Sequence, residues 1–318
     1  MVEQEALPMT TGDTPCSDKL SKKAAARLMK RATYASVTVA TILIGVKLWA
    51  WLISDSISIL SSLIDSLLDL AASAVNLLAV HHAVQPADRE HRFGHGKAES
   101  LAGLGQAMFI AGSVVFLSLQ AIERLFHPHP VQSADVGMGV IIFSLFLTGG
   151  LVVYQRYVVQ RTGSLAISAD FLHYQSDFLL NISVLAGLFL SAYMGWLIAD
   201  PLFALVVAVI IGHSAWQIVR GAINVLMDSE LPDEDRARIQ EIAMSHVGVE
   251  TVHDLRTRSS GLNVFIQLHL EMDGDILLRQ AHRIGDEVMA EIEAAFPQAE
   301  VLVHQDPAGE EDEPAFKS

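Results

Sequence analysis

The sequence predicts a six-helix α-helical transmembrane domain followed by a small cytoplasmic α+β domain of order α-β-β-α-β. Three observations predict it. Four stretches of 19 to 23 residues carry no charged side chain. Residues 222–318 hold 7 Lys and Arg against 21 Asp and Glu, so −14 of the chain's net −15 sits in the tail. Within that tail, two strand-like runs stand between two segments of helical period. Composition agrees: 51% of the residues are hydrophobic and only 18% charged, against about 25% charged in an average soluble domain. The 318 residues leave room for two domains. The acidic balance speaks against a nucleic-acid partner. A single cysteine, Cys16, excludes a disulfide scaffold and a Cys-based zinc cluster.

The spans follow from the gaps between charges. No charge falls between Glu99 and Glu123, Asp135 and Arg156, Asp177 and Asp200, or Asp200 and Arg220. A hydrocarbon core about 30 Å thick needs about 20 residues at about 1.5 Å each, so each gap reads as a span. Two more apolar stretches are interrupted: about 31–53 carries Lys47, and about 57–82 carries Asp65 and Asp69. No cleaved signal peptide is expected, because the first apolar run starts late and is full length. With the N-terminus cytoplasmic, the inner flanks hold 12 Lys and Arg and the outer flanks only Arg124. The positive-inside rule therefore places both termini in the cytoplasm. The expected domains are a largely disordered extension over 1–30, the membrane domain over 31–221, a cytoplasmic domain over 222–307 and an acidic disordered end over 308–318.

In the tail, a helix is expected over 233–246 after Pro232, with acidic residues in its first turn. Strands are expected over 250–258 and 262–272, turning at Gly261. The second alternates Val264, Ile266, Leu268 and Leu270 against Phe265, Gln267, His269 and Glu271. A helix over about 276–296 ends at Pro297, and a third strand covers 299–304. Helices on one face of a three-stranded sheet are the simplest arrangement of this order.

The membrane charges point to chemistry. Asp65 and Asp69 are four apart on the second span, and His173 and Asp177 repeat that spacing on the fifth, so each pair shares a helix face. A carboxylate at a helix centre costs roughly 2.5–3.5 kcal/mol on insertion scales. Interhelical hydrogen bonds would explain one such group more readily than two matched pairs. Three carboxylates and one imidazole suit a tetrahedral divalent cation, zinc first. Such a cation needs the imidazole neutral and the carboxylates ionised, so metal and protons compete for the same atoms.

The Asp65-x-x-x-Asp69 and His173-x-x-x-Asp177 pairs, in LIDSLLD and FLHYQSD, resemble those of the cation diffusion facilitators. The stretches 92–100, RFGHGKAES, and 253–258, HDLRTR, carry the same resemblance, which spans about 20–307. It implies a homodimeric, proton-coupled exporter of divalent metal ions (Zn²⁺, with Cd²⁺ and Fe²⁺ as further cargo) in a bacterial inner membrane. Lipid bilayer, metal ions and a second copy are then the partners, and no nucleic acid. The transport ligands fall on Asp65, Asp69, His173 and Asp177. A second, more exposed metal site falls on Asp88, His91 and His95 in the loop after the second span. The resemblance also implies a metallochaperone-like fold for the cytoplasmic domain and a regulatory two-metal site on it. One ion takes His253, His269 and Asp306; the other takes His282, His304 and a bridging Asp306. Lys97 and Asp228 are implied as an ion pair. From the pattern itself, His269 lies opposite the apolar strand face, and His304 and Asp306 point the same way.

Competing classes fit less of the chain. His91-x-x-x-His95 resembles one box of a membrane di-iron desaturase, which needs about eight clustered histidines and leaves the four membrane residues unexplained. No HExxH or GxSxG occurs, which speaks against a metalloprotease or a serine hydrolase. A metal sensor on a passive anchor fits the tail and not the paired membrane charges. His127 and His129 read as turn residues, and His81 and His82 as the plain end of the second span.

Overall fold

A computed structural model describes residues 20–55, 57–126, 135–194 and 198–309. The expected disordered ends fall largely outside these, as do His127 and His129. The chain divides into two compact units: Lys23–Met227, and Asp228–Ser318 together with Met1–Lys22.

The first unit is all helical: α1 Lys22–Ser54, α2 Ile57–Ala83, α3 Lys97–Phe126, α4 Asp135–Thr162, α5 Leu165–Met194 and α6 Ala199–Leu226. Among the described residues, five of the six contain segments long and apolar enough to cross a membrane. The longest uncharged part of α5 begins after Asp177, but the helix starts twelve residues earlier, at Leu165. Asp170, His173 and Asp177 are thus in the first half of a 30-residue helix. Packing inside the unit uses small and branched residues: Ala107 and Ile110 of α3, Ala169 and Leu172 of α5, and Ile211 and Ala215 of α6 form one buried cluster. Gly103 brings α3 onto the start of α5, where an added Cβ would lie 3.1 Å from the Leu165 carbonyl oxygen.

The seam between α2 and α5 is polar along its length. His173 Nε2 lies 3.0 Å from Asp69 Oδ1. Ser73, one turn on, shares a 2.8 Å hydrogen bond with the Tyr174 hydroxyl. Asn76 Nδ2 donates to the Ala166 carbonyl at 3.3 Å. These contacts run down α2 as they run up α5, so the two helices are antiparallel.

The second unit holds α7 Asp233–Met244, β1 Thr251–Ser260, β2 Asn263–Met272, α8 Leu278–Ala295 and β3 Ala299–Pro307. Asp233, Glu234 and Asp235 fill the first turn of α7, where carboxylates complement the helix dipole. The sheet order is β1-β2-β3. β1 pairs antiparallel with β2 through the turn at Gly261, whose φ of 60° suits glycine, and β2 pairs parallel with β3. Ile266, Leu268 and Leu270 pack against Ile239 and Ala243 of α7 and Ile284, Val288 and Ile292 of α8. Each such side chain contributes about 1.5–3 kcal/mol on full burial. The strand alternation fails at Phe265, which is buried on the polar face. The Arg258 guanidinium covers its ring at 5.1 Å, a cation–π contact that the alternation does not encode.

Candidate metal centres

Three clusters of ligand-type side chains occur among the described residues, and each is built by a different local device.

The first lies on the α2–α5 seam. Asp69, His173 and Asp177 each offer an atom within 4.8 Å of the others. His173 Nε2 is the common point, 3.0 Å from Asp69 and 3.8 Å from Asp177. The imidazole is buried, and both carboxylates are partly exposed. Asp65 is exposed and stands outside this group, one turn away on α2. The cation that interrupts α1 belongs to the same region. Lys47 Nζ donates to Ser66 Oγ at 2.6 Å and to the Ser62 carbonyl at 3.1 Å, so it binds α2 on either side of Asp65.

The second lies in the loop between α2 and α3. Asp88 Oδ1 accepts from the His91 amide at 2.7 Å and the Glu90 amide at 2.9 Å. These N–H donors, His91 first, hold the Asp88 carboxyl below the usual carboxylate range. Its Oδ2 is 3.3 Å from His95 Nε2, and its Oδ1 is 3.6 Å from His91 Nδ1. The site is less exposed than the sequence implies, because His95 is buried. Its ring lies between those of His91 and His82, tilted to the first and edge-on to the second, with centroids at 4.6 and 4.4 Å. His82 therefore packs on this cluster rather than simply ending a helix.

The third is a row across the sheet. His253 of β1 pairs in register with His269 of β2, which pairs with His304 of β3. Neighbouring rings lie 5.1 and 4.6 Å apart. Asp306, two residues beyond His304 and on the same face, reaches all three: His269 Nδ1 at 2.8 Å, His304 Nδ1 at 2.7 Å and His253 Nε2 at 3.6 Å. Of these, His253, His269 and Asp306 form the tight group. His282 is not brought to it. It sits on α8 beside Asp286 at 3.6 Å, with a side chain 70% exposed. Three imidazoles around one carboxylate suit zinc or a similar borderline cation.

The C-terminal part of the chain, 231–308, matches the cation efflux protein cytoplasmic domain, and 33–227 match the cation efflux transmembrane domain. The chain belongs to the cation efflux family. It is 49% identical over 282 residues to the cation-efflux pump FieF of Klebsiella pneumoniae strain 342, covering 89% of this chain and 94% of that protein. It is also 49% identical over 281 residues to the cation-efflux pump FieF of Salmonella choleraesuis, covering 88% and 93%. A solved CzrB chain in its Zn form is 34% identical and covers 27% of this chain and 99% of its own, with a TM-score of 0.26. As a cation efflux protein, the chain is a multi-pass membrane transporter and not an enzyme.

Family membership does not single out every polar group in the helical unit. Asp170 is fully buried and was passed over in the sequence because it lies outside the i, i+4 pairs. It accepts hydrogen bonds from Ser36, Gln106 and Gln155, on three other helices. Lys97 Nζ donates to the Leu226 carbonyl at 3.4 Å, and Asp228 lies 3.7 Å from Arg258.

Proposed function

We propose that this cation efflux protein is a proton-coupled divalent metal antiporter that exports Zn²⁺, with Cd²⁺ and Fe²⁺ as further cargo, by alternating access. The observation that carries this reading is the convergence of His173 on Asp69 and Asp177 between two long antiparallel helices. Cargo binding uses the lone pairs of these three groups, with Asp65 as the fourth ligand from the same face of α2. Protons compete for those atoms, so metal leaves as protons arrive and the reverse. A shift of α2 against α5 opens the set alternately to each side of the membrane. On this reading α5 also crosses the membrane, which makes six spans; residues 31–221 form the membrane domain, and both termini face the cytoplasm of a bacterial inner membrane.

The remaining clusters are assigned supporting roles. Asp88, His91 and His95 hold a metal at the cytoplasmic loop, a three-ligand set that leaves one position open. His253, His269 and Asp306 hold one ion on the cytoplasmic domain (222–307). His304 and Asp306 hold a second, joined by His282 once that ring leaves Asp286. Metal bound there stabilises a homodimer of the domain and biases the transporter, so this site acts as a sensor. The domain's acidity raises the local cation concentration.

Purified protein in liposomes with an acidic lumen tests the transport step. Zn²⁺ uptake should proceed with proton release, and Asp177→Ala should abolish it while the protein remains folded. Uptake that survives Asp177→Ala and ignores the pH gradient overturns the mechanism.

A further inference from the structure

The transport reading leaves two buried carboxyl groups in the helical unit without a task, Glu99 and Asp170, and Asp170 is the one bound by three other helices. Asp170 has no exposed surface. Its Oδ2 accepts from Ser36 Oγ of α1 at 2.5 Å and from Gln155 Nε2 of α4 at 2.7 Å, and its Oδ1 accepts from Gln106 Nε2 of α3 at 3.3 Å. Gln155 Nε2 also lies 2.9 Å from Ser36 Oγ. The hub is linked to the metal seam at its edge: the Tyr174 hydroxyl reaches the Ser36 carbonyl at 3.3 Å and Ser73 of α2 at 2.8 Å.

Two features argue that this hub does more than fill space. Burying a carboxyl group is costly unless it is well hydrogen-bonded, and an apolar side chain would fill the same space without that cost. The orientation of Gln155 also leaves its buried Oε1 without a hydrogen-bond partner, an uncompensated cost. Geometry supplies the purpose. Asp170, His173, Tyr174 and Asp177 stand at i, i+3, i+4 and i+7, one face of α5. His173 lies about 4.5 Å along the axis from Asp170. Three helices thus fix the rotation of α5 one turn from the imidazole that must meet Asp69 on the fourth.

We infer that Asp170 is a positioning residue for metal transport: its hydrogen bonds to Ser36, Gln106 and Gln155 hold α5 in the setting that presents His173 to Asp69. This rests on the proposed transport site. Groups that orient ligands from behind typically change metal affinity by about 10–100-fold when removed.

The test uses the full chain in liposomes, with Zn²⁺ as the probe and thermal unfolding measured beside uptake. Asp170→Asn keeps the shape and reverses the hydrogen-bond demand at one atom. It should raise the KM for Zn²⁺ at least tenfold and leave the maximal rate within threefold. Adding Gln155→Glu returns one carboxylate and one amide to the same contact, so the double variant should restore both KM and stability. A lower melting temperature with unchanged KM makes Asp170 a structural residue only and overturns the inference. Restored stability with KM still raised also overturns it, because the hydrogen bonds would then not be the agent. Should Asp170→Asn fail to fold, Ser36→Ala removes a single donor and must still raise KM at full maximal rate; an unchanged KM sinks the idea. Asp177→Ala runs alongside. If it still transports Zn²⁺, the transport site itself is wrong, whatever Asp170 does.

Discussion

The candidate metal centre on the helices and the one on the sheet use similar side chains held in different ways. In the sheet, His253, His269 and His304 occupy one register level of three adjacent strands. Their ring spacings of 5.1 and 4.6 Å follow the strand separation of about 4.7–4.9 Å. Backbone hydrogen bonds set the row, and the apolar face behind it locks the sheet to α7 and α8. On the seam, by contrast, Asp69 meets His173 only because α2 and α5 lie at one particular offset. Among the described residues, side-chain contacts at Ser73 and Asn76 fix that offset. A ladder-built site is suited to retaining metal, and a seam-built site is suited to releasing it when the helices shift.

The sharpest way to break this comparison is at Asp69, the α2 carboxylate that meets His173. Asp69→Ala should cut Zn²⁺ uptake by a factor on the order of 100 or more, since a tetrahedral metal set cannot spare one of its four ligands. Zn²⁺ retained per chain by the sheet row should be unchanged, which equilibrium dialysis measures. A parallel loss of that retained metal would show that the two centres are not independent.

The sheet row gives the next largest effect. Asp306 touches all three histidines, so Asp306→Ala should weaken retained Zn²⁺ by roughly 10–100-fold, the scale seen when a metal site loses a hydrogen-bonded carboxylate. Uptake at saturating Zn²⁺ should fall only severalfold, because the variant leaves the seam intact. Metal retention unchanged in Asp306→Ala would remove the row from the list of binding sites.

Much of this was legible in the sequence, and the reasons differ by element. Long uncharged runs locate helices because hydrocarbon excludes charge, and strand alternation locates the apolar face of β2 for the same kind of reason. The i, i+4 spacing placed Asp65 with Asp69 and His173 with Asp177. It could not say that Asp69 would converge with the second pair while Asp65 stayed outside, because that depends on how two helices slide past each other. Asp170 was invisible for a related reason: its three partners come from α1, α3 and α4, at separations of 134, 64 and 15 residues. The start of α5 was blurred because its charged residues are paid for by such distant partners. His253, His269 and His304 were visible as candidates, but their common level on the sheet is a property of strand register. His282 illustrates the limit in the other direction, since helical placement beside Asp286 keeps it from the row.

The loop between α2 and α3 extends the comparison to a third way of holding ligands, and the expected effect there is the smallest. Asp88 is exposed, and its carboxylate is held by the amides of His91 and Glu90 within a single turn. Because those donors favour the charged form, the folded carboxyl lies below its unfolded value. Its contribution to loop order is therefore complete at pH values above the unfolded carboxyl's, about 3.9, and is lost as pH falls through the lower folded value. Hydrogen exchange at the His91 amide should consequently show protection that does not vary on Asp88's account between pH 8 and 5 and that declines below about pH 4. Asp88→Asn should give weaker protection at neutral pH and remove the acid step. A step that persists in Asp88→Asn would mean that another group orders this turn, and that the loop is held from its flanking helices rather than from within.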